Sequence, residues 1–89
     1  MNLDEIRKEI DKIDQALAPL IEERVRLVTK IARFKEGTRI PVFDEDRERK
    51  VLKNVEKLVA SKQLREVVSE SFQALMDVSK KYQLKEIER

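Results

Sequence analysis

The sequence contains neither cysteine nor histidine. The absence of cysteine excludes disulfide bonds and thiol catalysis, and it leaves the compartment open. The absence of histidine removes the usual general base at neutral pH and the commonest metal ligand. We therefore expect a protein with no bound metal and no cofactor.

Glycine, proline and long apolar runs are also scarce. The 89 residues include one glycine and two prolines, and 43% of them are charged. Few turn residues and a helical periodicity predict one all-α domain over residues 1–89. No apolar run reaches the ~18–20 residues that span a bilayer, and the net charge of +2 is spread along the chain. We expect a soluble, cytoplasmic protein that binds neither membrane nor nucleic acid.

The first predicted helix covers residues 3–36. Asn2 and Glu5 have the spacing of a capping box at its start, and Gly37 takes the C′ position after its end. At ~1.5 Å per residue this helix is a rod of roughly 50 Å, which the rest of a compact chain with a radius of gyration of ~12 Å cannot cover. Pro19 lies inside the helix and is expected to bend it near residues 15–19.

Two shorter helices are predicted after a loop at residues 37–43, where Pro41 opposes any helix before it. The second helix covers residues 44–60, with Asp44 as its N-cap. A polar connection at residues 60–63 leads to the third helix at residues 64–86. The apolar stripe of the third helix runs through Leu64, Val68, Phe72, Leu75, Ser79 and Tyr82.

The first helix carries apolar residues at alternating spacings of three and four. They are Ile6, Ile10, Ile13, Leu17, Leu20, Leu27, Ile31 and Phe34, which we call the seam. This spacing is typical of a helix that packs along another helix. Because the rest of the chain cannot cover so long a rod, we expect the seam to be buried against a second copy of the chain.

Arg24 interrupts the seam where an apolar residue is expected, and a buried arginine is costly unless an anion meets it. Lys35 lies about three turns further on, so both side chains point the same way, ~16 Å apart. Val28 and Ile31 form an apolar floor between them, over which the two cations could grip a small dianion. Two simpler interpretations stay open: Arg24 extends to water or pairs with a glutamate, and Lys35 is a solvated cation at a helix C-terminus.

The other two helices also carry polar residues on or beside their apolar stripes. These are Asp44, Arg47 and Glu48 in the second helix, and Ser79 and Gln83 in the third. Simpler interpretations again exist: an N-cap for Asp44, a solvated salt-bridged face for Arg47 and Glu48, and satisfied buried polar groups for the last two. What favours a shared site is that all three helices carry such residues where they could converge.

Arg7 cannot belong to the same site within its own chain. It lies seventeen residues before Arg24, about 25 Å along the helix, and faces a different direction. In an antiparallel dimer that crosses near residues 16–17, Arg7 of one copy would lie near residues 24–35 of the other. The two-fold symmetry would then give two identical sites.

Four segments carry a resemblance to a known family: IRKEID at 6–11, LIEERVRLVTKIARFK at 20–35, PVFDEDRER at 41–49 and FQALMDVSKKYQ at 72–83. Over nearly its whole length the chain resembles the AroQ-type, all-helical chorismate mutases. The resemblance implies an intertwined homodimer of three-helix chains. It also implies conversion of chorismate to prephenate by a Claisen rearrangement, a step of aromatic amino-acid biosynthesis. Pro19 departs from the unbroken helix that the family prefers.

The resemblance also implies roles for the candidate residues. Arg24 would bind one substrate carboxylate, and Arg7 of the partner subunit would bind the other. Lys35 and Gln83 match the pair that hydrogen-bonds the ether oxygen of the breaking C–O bond.

The remaining candidates would position the substrate. Arg47 resembles a residue that supports a carboxylate, and Glu48, with the backbone around Asp44, matches the group that holds the ring hydroxyl. Ser79 matches a residue that lines the pocket beside the substrate. The apolar walls would be Val28, Ile31 and Val51.

Two other functions stay open at this point. An isochorismate-pyruvate lyase on the same scaffold would use almost the same cations, although the loop at residues 37–43 looks more like that of the mutases. A non-enzymatic helical interaction module would explain the seam, but not Arg24, Ser79 and Gln83 together.

Overall fold

The computed structural model describes residues 1–38 and 43–87. It contains three α-helices and a short 3-10 turn: α1 (Leu3–Lys35), α2 (Glu45–Leu58), the turn Lys62–Leu64 and α3 (Arg65–Ile87). No strand occurs within these described ranges. The expected all-α chain of three helices with a very long first helix is therefore confirmed. Residues 39–42, in the middle of the expected loop, lie outside the described part of the chain.

The ends of α1 follow local capping rules. The Asn2 side chain accepts a hydrogen bond from the backbone N–H of Glu5 at 2.9 Å, and the Glu5 carboxylate accepts one from the N–H of Asn2 at 3.4 Å. Gly37 follows the helix with a positive φ of 76°, which favours glycine. The helix is continuous through Pro19, and the bend expected there stays a prediction.

The helix α2 begins where expected and ends earlier than expected. The Asp44 carboxylate accepts a hydrogen bond from the N–H of Arg47 at 3.1 Å, which caps the helix. The helix ends at Leu58 rather than at residue 60, because Val59 takes an extended conformation. The Arg65 side chain donates to the carbonyl of Val59 at 3.4 Å and stabilises this extended connection.

The segment before α3 also differs from the expectation. Its last residues form the turn Lys62–Leu64, so α3 begins at Arg65 rather than at residue 64. Because α3 packs against both α1 and α2, its buried face is centred on Met76, Ser79 and Gln83. The expected stripe was wrong at Leu64 and Tyr82, which are exposed, and it omitted Met76.

The described residues leave the N-terminal half of α1 uncovered. Every residue from 1 to 20 is exposed, and the exposed fraction of the seam residues runs from 42% at Ile6 to 79% at Phe34. The radius of gyration of 16.1 Å exceeds the ~12 Å of a compact chain of this length. The seam therefore stays open to solvent in the single chain, and the expected homodimer stays a prediction.

None of the helices in the described part of the chain has both the length and the apolarity that crossing a bilayer takes.

Candidate active site

One cavity of about 350 Å³ lies where α1, α2 and α3 come together. Seven polar residues singled out in the sequence line it: Arg24, Lys35, Asp44, Arg47, Glu48, Ser79 and Gln83. The three expected apolar residues, Val28, Ile31 and Val51, also line it. The chain thus brings residues from three separate stretches of sequence to one small concave surface.

The helix α1 provides two cations on one face. Arg24 and Lys35 are half-buried, and both line the cavity together with the apolar residues between them. Within residues 1–38 and 43–87, neither side chain has a hydrogen-bond or ion-pair partner. The glutamate that could have paired with Arg24 is therefore not found in the described chain. Half-burial without a partner leaves both charges free to meet a ligand.

The first turn of α2 provides one further cation and a carboxylate. Arg47 is exposed, and its guanidinium has no anionic partner among the residues described. Glu48 is half-buried and engaged: Lys80 Nζ lies 3.0 Å from its Oε1 and 3.3 Å from its Oε2. Gln73 Nε2 lies 3.4 Å from the same Oε1. Glu48 thus forms a salt bridge, as the simpler interpretation has it, but the bridge joins α2 to α3.

The helix α3 contributes two buried polar side chains. Ser79 is 3% exposed, and its hydroxyl donates to the backbone carbonyl of Leu75 at 2.8 Å. Gln83 is 7% exposed, and its Nε2 donates to the carbonyl of Val28 on α1 at 2.7 Å. A backbone carbonyl only accepts, so the amide nitrogen of Gln83 must face it. The second N–H of the same amide has no acceptor in the described chain and remains available to the cavity.

Arg7 does not line this cavity. It lies on the exposed N-terminal half of α1, about 25 Å from Arg24 along the helix axis. A role for Arg7 therefore requires a second copy of the chain, and its donation across an interface stays a prediction.

Three lining residues were missed from the sequence: Phe43, Met76 and Lys80. The helical spacing of α3 could have revealed two of them, because Lys80 and Met76 precede Gln83 by three and seven residues and share its face. Phe43 follows no periodic pattern, since it lies just before α2, and only its position next to the Asp44 cap could have indicated it.

The charges around the cavity favour an anionic ligand. Four cations and two carboxylates line it, which leaves two positive charges in excess. The Glu48 carboxylate raises the pKa of Lys80, and Asp77 adds to this, so Lys80 stays charged at neutral pH. No three acidic side chains cluster as a metal site in the described ranges. Apolar walls with a surplus of two positive charges suit a small dianion.

The described residues define an all-helical protein with a cationic cavity, and the comparisons with known proteins identify the family. The sequence model described as chorismate mutase type II matches residues 6–84. A chorismate mutase of Methanocaldococcus jannaschii is 34% identical over 87 residues, which are 97% of this chain and 88% of that protein. A bifunctional chorismate mutase/prephenate dehydratase of Aquifex aeolicus is 36% identical over 56 residues, which are 63% of this chain and 16% of that protein. No solved structure is a significant match.

The chain therefore belongs to the type II chorismate mutase family, and the resemblance to the all-helical AroQ class is confirmed. The activity that this assignment supports is that of chorismate mutase, an isomerase of aromatic amino-acid biosynthesis. None of the matches supports the isochorismate-pyruvate lyase alternative.

Proposed function

We propose that the cavity binds chorismate as a dianion and converts it to prephenate with the residues described above. The observation that carries the proposal is a set of three cations around one cavity, Arg24, Lys35 and Arg47. None of them has an anionic partner in the part of the chain that the structure describes. For the half-buried Arg24 and Lys35, a charge without a partner is costly unless a ligand neutralises it.

The rearrangement is pericyclic and unimolecular: the ether C–O bond breaks while a C–C bond forms. It needs no proton transfer, nucleophile or metal, so a chain without histidine and cysteine can catalyse it. The flexible substrate must instead be held in a compact, chair-like shape, which fixed cations at its two carboxylates achieve. Arg24 binds one carboxylate, and Arg47 supports the carboxylate contacts from α2.

Negative charge builds on the ether oxygen as the C–O bond lengthens. Lys35 and the free N–H of Gln83 are the donors that we assign to this oxygen, and they stabilise the transition state more than the ground state. The Gln83 amide is held in place by its bond to the Val28 carbonyl. Because an amide does not titrate, this donor works without an acidic pH.

Three residues position the ring of the substrate. Glu48 accepts a hydrogen bond from the ring hydroxyl, with the backbone around Asp44 beside it. The Asp44 carboxylate itself is engaged as the cap of α2, which is why the backbone takes this role. Ser79 lines the pocket without donating to the substrate, because its hydroxyl proton is engaged with the carbonyl of Leu75.

The proposed functional unit is an intertwined homodimer in the cytoplasm. The exposed seam of α1 supports this, because an apolar face of this length is unusual on a monomer. In an antiparallel pair, Arg7 of the partner subunit reaches the cavity and binds the second carboxylate. Each site is then built from both copies.

The test is an ultraviolet assay of chorismate consumption, with the product identified, on purified wild type, Arg24→Ala and Lys35→Ala. We expect each variant to lose at least ~10²-fold in rate, as is typical when one donor to a developing anion is removed. Arg26→Ala is the matched control, because Arg26 is an exposed arginine of the same helix, paired with Glu22. Near-full activity of folded Arg24→Ala would overturn the assignment.

A further inference from the structure

We propose that Lys80 is a positioning residue for this reaction: it holds Glu48 in place and neutralises its charge beside the dianionic substrate. The inference rests on the proposed function of the cavity. Lys80 is not among the residues singled out by the sequence, yet it lines the cavity and contacts both oxygens of Glu48. The pair joins α2 to α3 across 32 residues of sequence.

The geometry fixes one side of the Glu48 carboxylate. Its Oε1 receives the shorter contact from Lys80, at 3.0 Å, and also the Gln73 amide at 3.4 Å. Its Oε2 receives only the longer Lys80 contact, at 3.3 Å. A carboxylate oxygen can accept about two hydrogen bonds, so Oε2 keeps the capacity to accept a donor from a ligand. A substrate hydroxyl is such a donor.

Lys80 and Gln73 are themselves held by Asp77. Its carboxylate lies 3.3 Å from Lys80 Nζ and 3.1 Å from Gln73 Nε2. The two donors to Glu48 are thus tied together on one half-buried edge of α3. This arrangement restricts the motion of the Glu48 carboxylate before any ligand arrives, which is what a hydroxyl-positioning group requires.

The charge balance gives Lys80 a second effect. A carboxylate beside a dianion repels it unless a cation offsets the charge. In the part of the chain that the structure describes, Lys80 is the cation that contacts Glu48, and without it the carboxylate keeps its full charge. Glu48 would then be free to attract Arg47 or Arg24, the cations that the substrate needs. Lys80 therefore leaves those arginines available to the ligand.

A purely structural salt bridge is the competing explanation, because the Lys80–Glu48 pair joins α2 to α3 and is partly exposed. The two explanations differ in what they change. A structural role alters the unfolding transition and leaves the kinetics of folded enzyme unchanged. A positioning role alters KM in folded enzyme and depends on the carboxylate of Glu48.

The experiment measures kcat and KM of the full chain with chorismate. We expect Lys80→Met to raise KM by about 10-fold, because it removes one partly exposed charge-assisted hydrogen bond. The change in kcat should be smaller. Lys80→Arg should restore KM to within about 3-fold, because it returns the charge. Lys81→Met is the matched control: Lys81 is an exposed neighbour on the same helix that does not line the cavity.

The Glu48→Gln background separates positioning from other effects. If Lys80 acts through Glu48, adding Lys80→Met to Glu48→Gln should change KM by less than about 2-fold. An equal change in both backgrounds would overturn the proposal, as would a KM for Lys80→Met equal to that of Lys81→Met. Lys80→Gln, with the same expectation, replaces Lys80→Met if circular dichroism shows the latter to be unfolded. A wild type that does not consume chorismate would instead overturn the proposed function.

Discussion

The two halves of α1 carry the same seam but differ in what covers their other faces. In the C-terminal half, a second stripe of Ile21, Val25, Val28 and Ala32 is buried or half-buried. Fourteen residues earlier, the equivalent positions of the N-terminal half hold Arg7, Asp11, Asp14 and Ala18, all of them exposed. The C-terminal half therefore has an apolar surface for α3, and the N-terminal half does not. A second apolar stripe, rather than the seam, therefore determines which half of α1 packs within the chain.

In the structure of residues 1–38 and 43–87, the seam is largely exposed in both halves. Leu27 and Ile31 are more than half exposed, although Ile31 also lines the cavity. An uncovered apolar face that passes along both halves favours one continuous partner of similar length. A second copy of α1 has that length and that pattern, which is why we propose the antiparallel dimer.

A charge placed in the seam should reduce activity more than any other change considered below. Leu17→Glu should separate the copies and lower mutase activity at least ~10²-fold, because two like carboxylates would meet near the two-fold axis and each site would lose its partner arginine. Gln15→Glu introduces the same residue on the opposite face of α1 and should keep both the dimer and the activity. Light scattering and the chorismate assay measure the two outcomes. A fully active Leu17→Glu monomer would remove the need for a second copy.

The second prediction asks whether the N-terminal half of one copy serves the other copy. Arg7→Ala and Arg24→Ala should each be nearly inactive alone. When equal amounts are unfolded and refolded together, half of the dimers are mixed, and each mixed dimer has one complete site, so about a quarter of wild-type activity should return.

The control for this experiment is Arg24→Ala refolded with Lys35→Ala. Both substitutions lie in the same half of α1, so each mixed dimer would have two sites, each lacking one group, and little activity should return. Recovery in this control, or none with the Arg7 variant, would contradict sites shared between copies.

Local rules account for much of what the sequence predicts. The capping box of Asn2 and Glu5, the glycine after α1 and the Asp44 cap each depend on residues within one turn. The seven polar residues at the cavity could be selected together because helical spacing places each of them on or beside an apolar stripe. These features need no knowledge of how the helices pack.

Packing determines the features that sequence spacing missed. Glu48 pairs with Lys80 because of how α2 lies against α3, and no rule within one helix specifies a partner 32 residues away. The early end of α2 coincides with a contact between Arg65 and Val59, six residues apart, that no helical spacing specifies. The burial of Met76 follows from contact of α3 with two helices at once.

A third prediction concerns the single break in the seam. Arg24→Leu restores the apolar spacing, so it should raise the Tm by about 2–4 °C, equivalent to ~0.5 kcal/mol, while activity is lost. Arg26→Leu is the matched control on an exposed face of the same helix, and it should keep activity without this gain. Differential scanning calorimetry measures both. A lower Tm for Arg24→Leu would mean that the guanidinium stabilises the fold rather than only the ligand complex.

The pH dependence of the Lys80 ion pair tests whether this pair lies within one copy or between copies, and its effect on stability should be weak. Glu48 and Asp77 raise the pKa of Lys80. The stability that charged Lys80 contributes is therefore fully present below its unfolded pKa of ~10.5, and it is lost as the pH rises through the higher folded value. The difference in unfolding free energy between wild type and Lys80→Met should shrink from about pH 8 to about pH 12, by less than ~1 kcal/mol because Lys80 is 32% exposed.

Protein concentration provides the control for this last measurement. The Lys80 pair lies within one chain, so the difference between wild type and Lys80→Met should be the same at two protein concentrations. The absolute stability of both proteins should rise with concentration, because a seam buried between copies couples folding to association. A difference that changed with concentration would place the Lys80 pair at an interface. An absolute stability independent of concentration would mean that α1 keeps its seam exposed in a folded monomer.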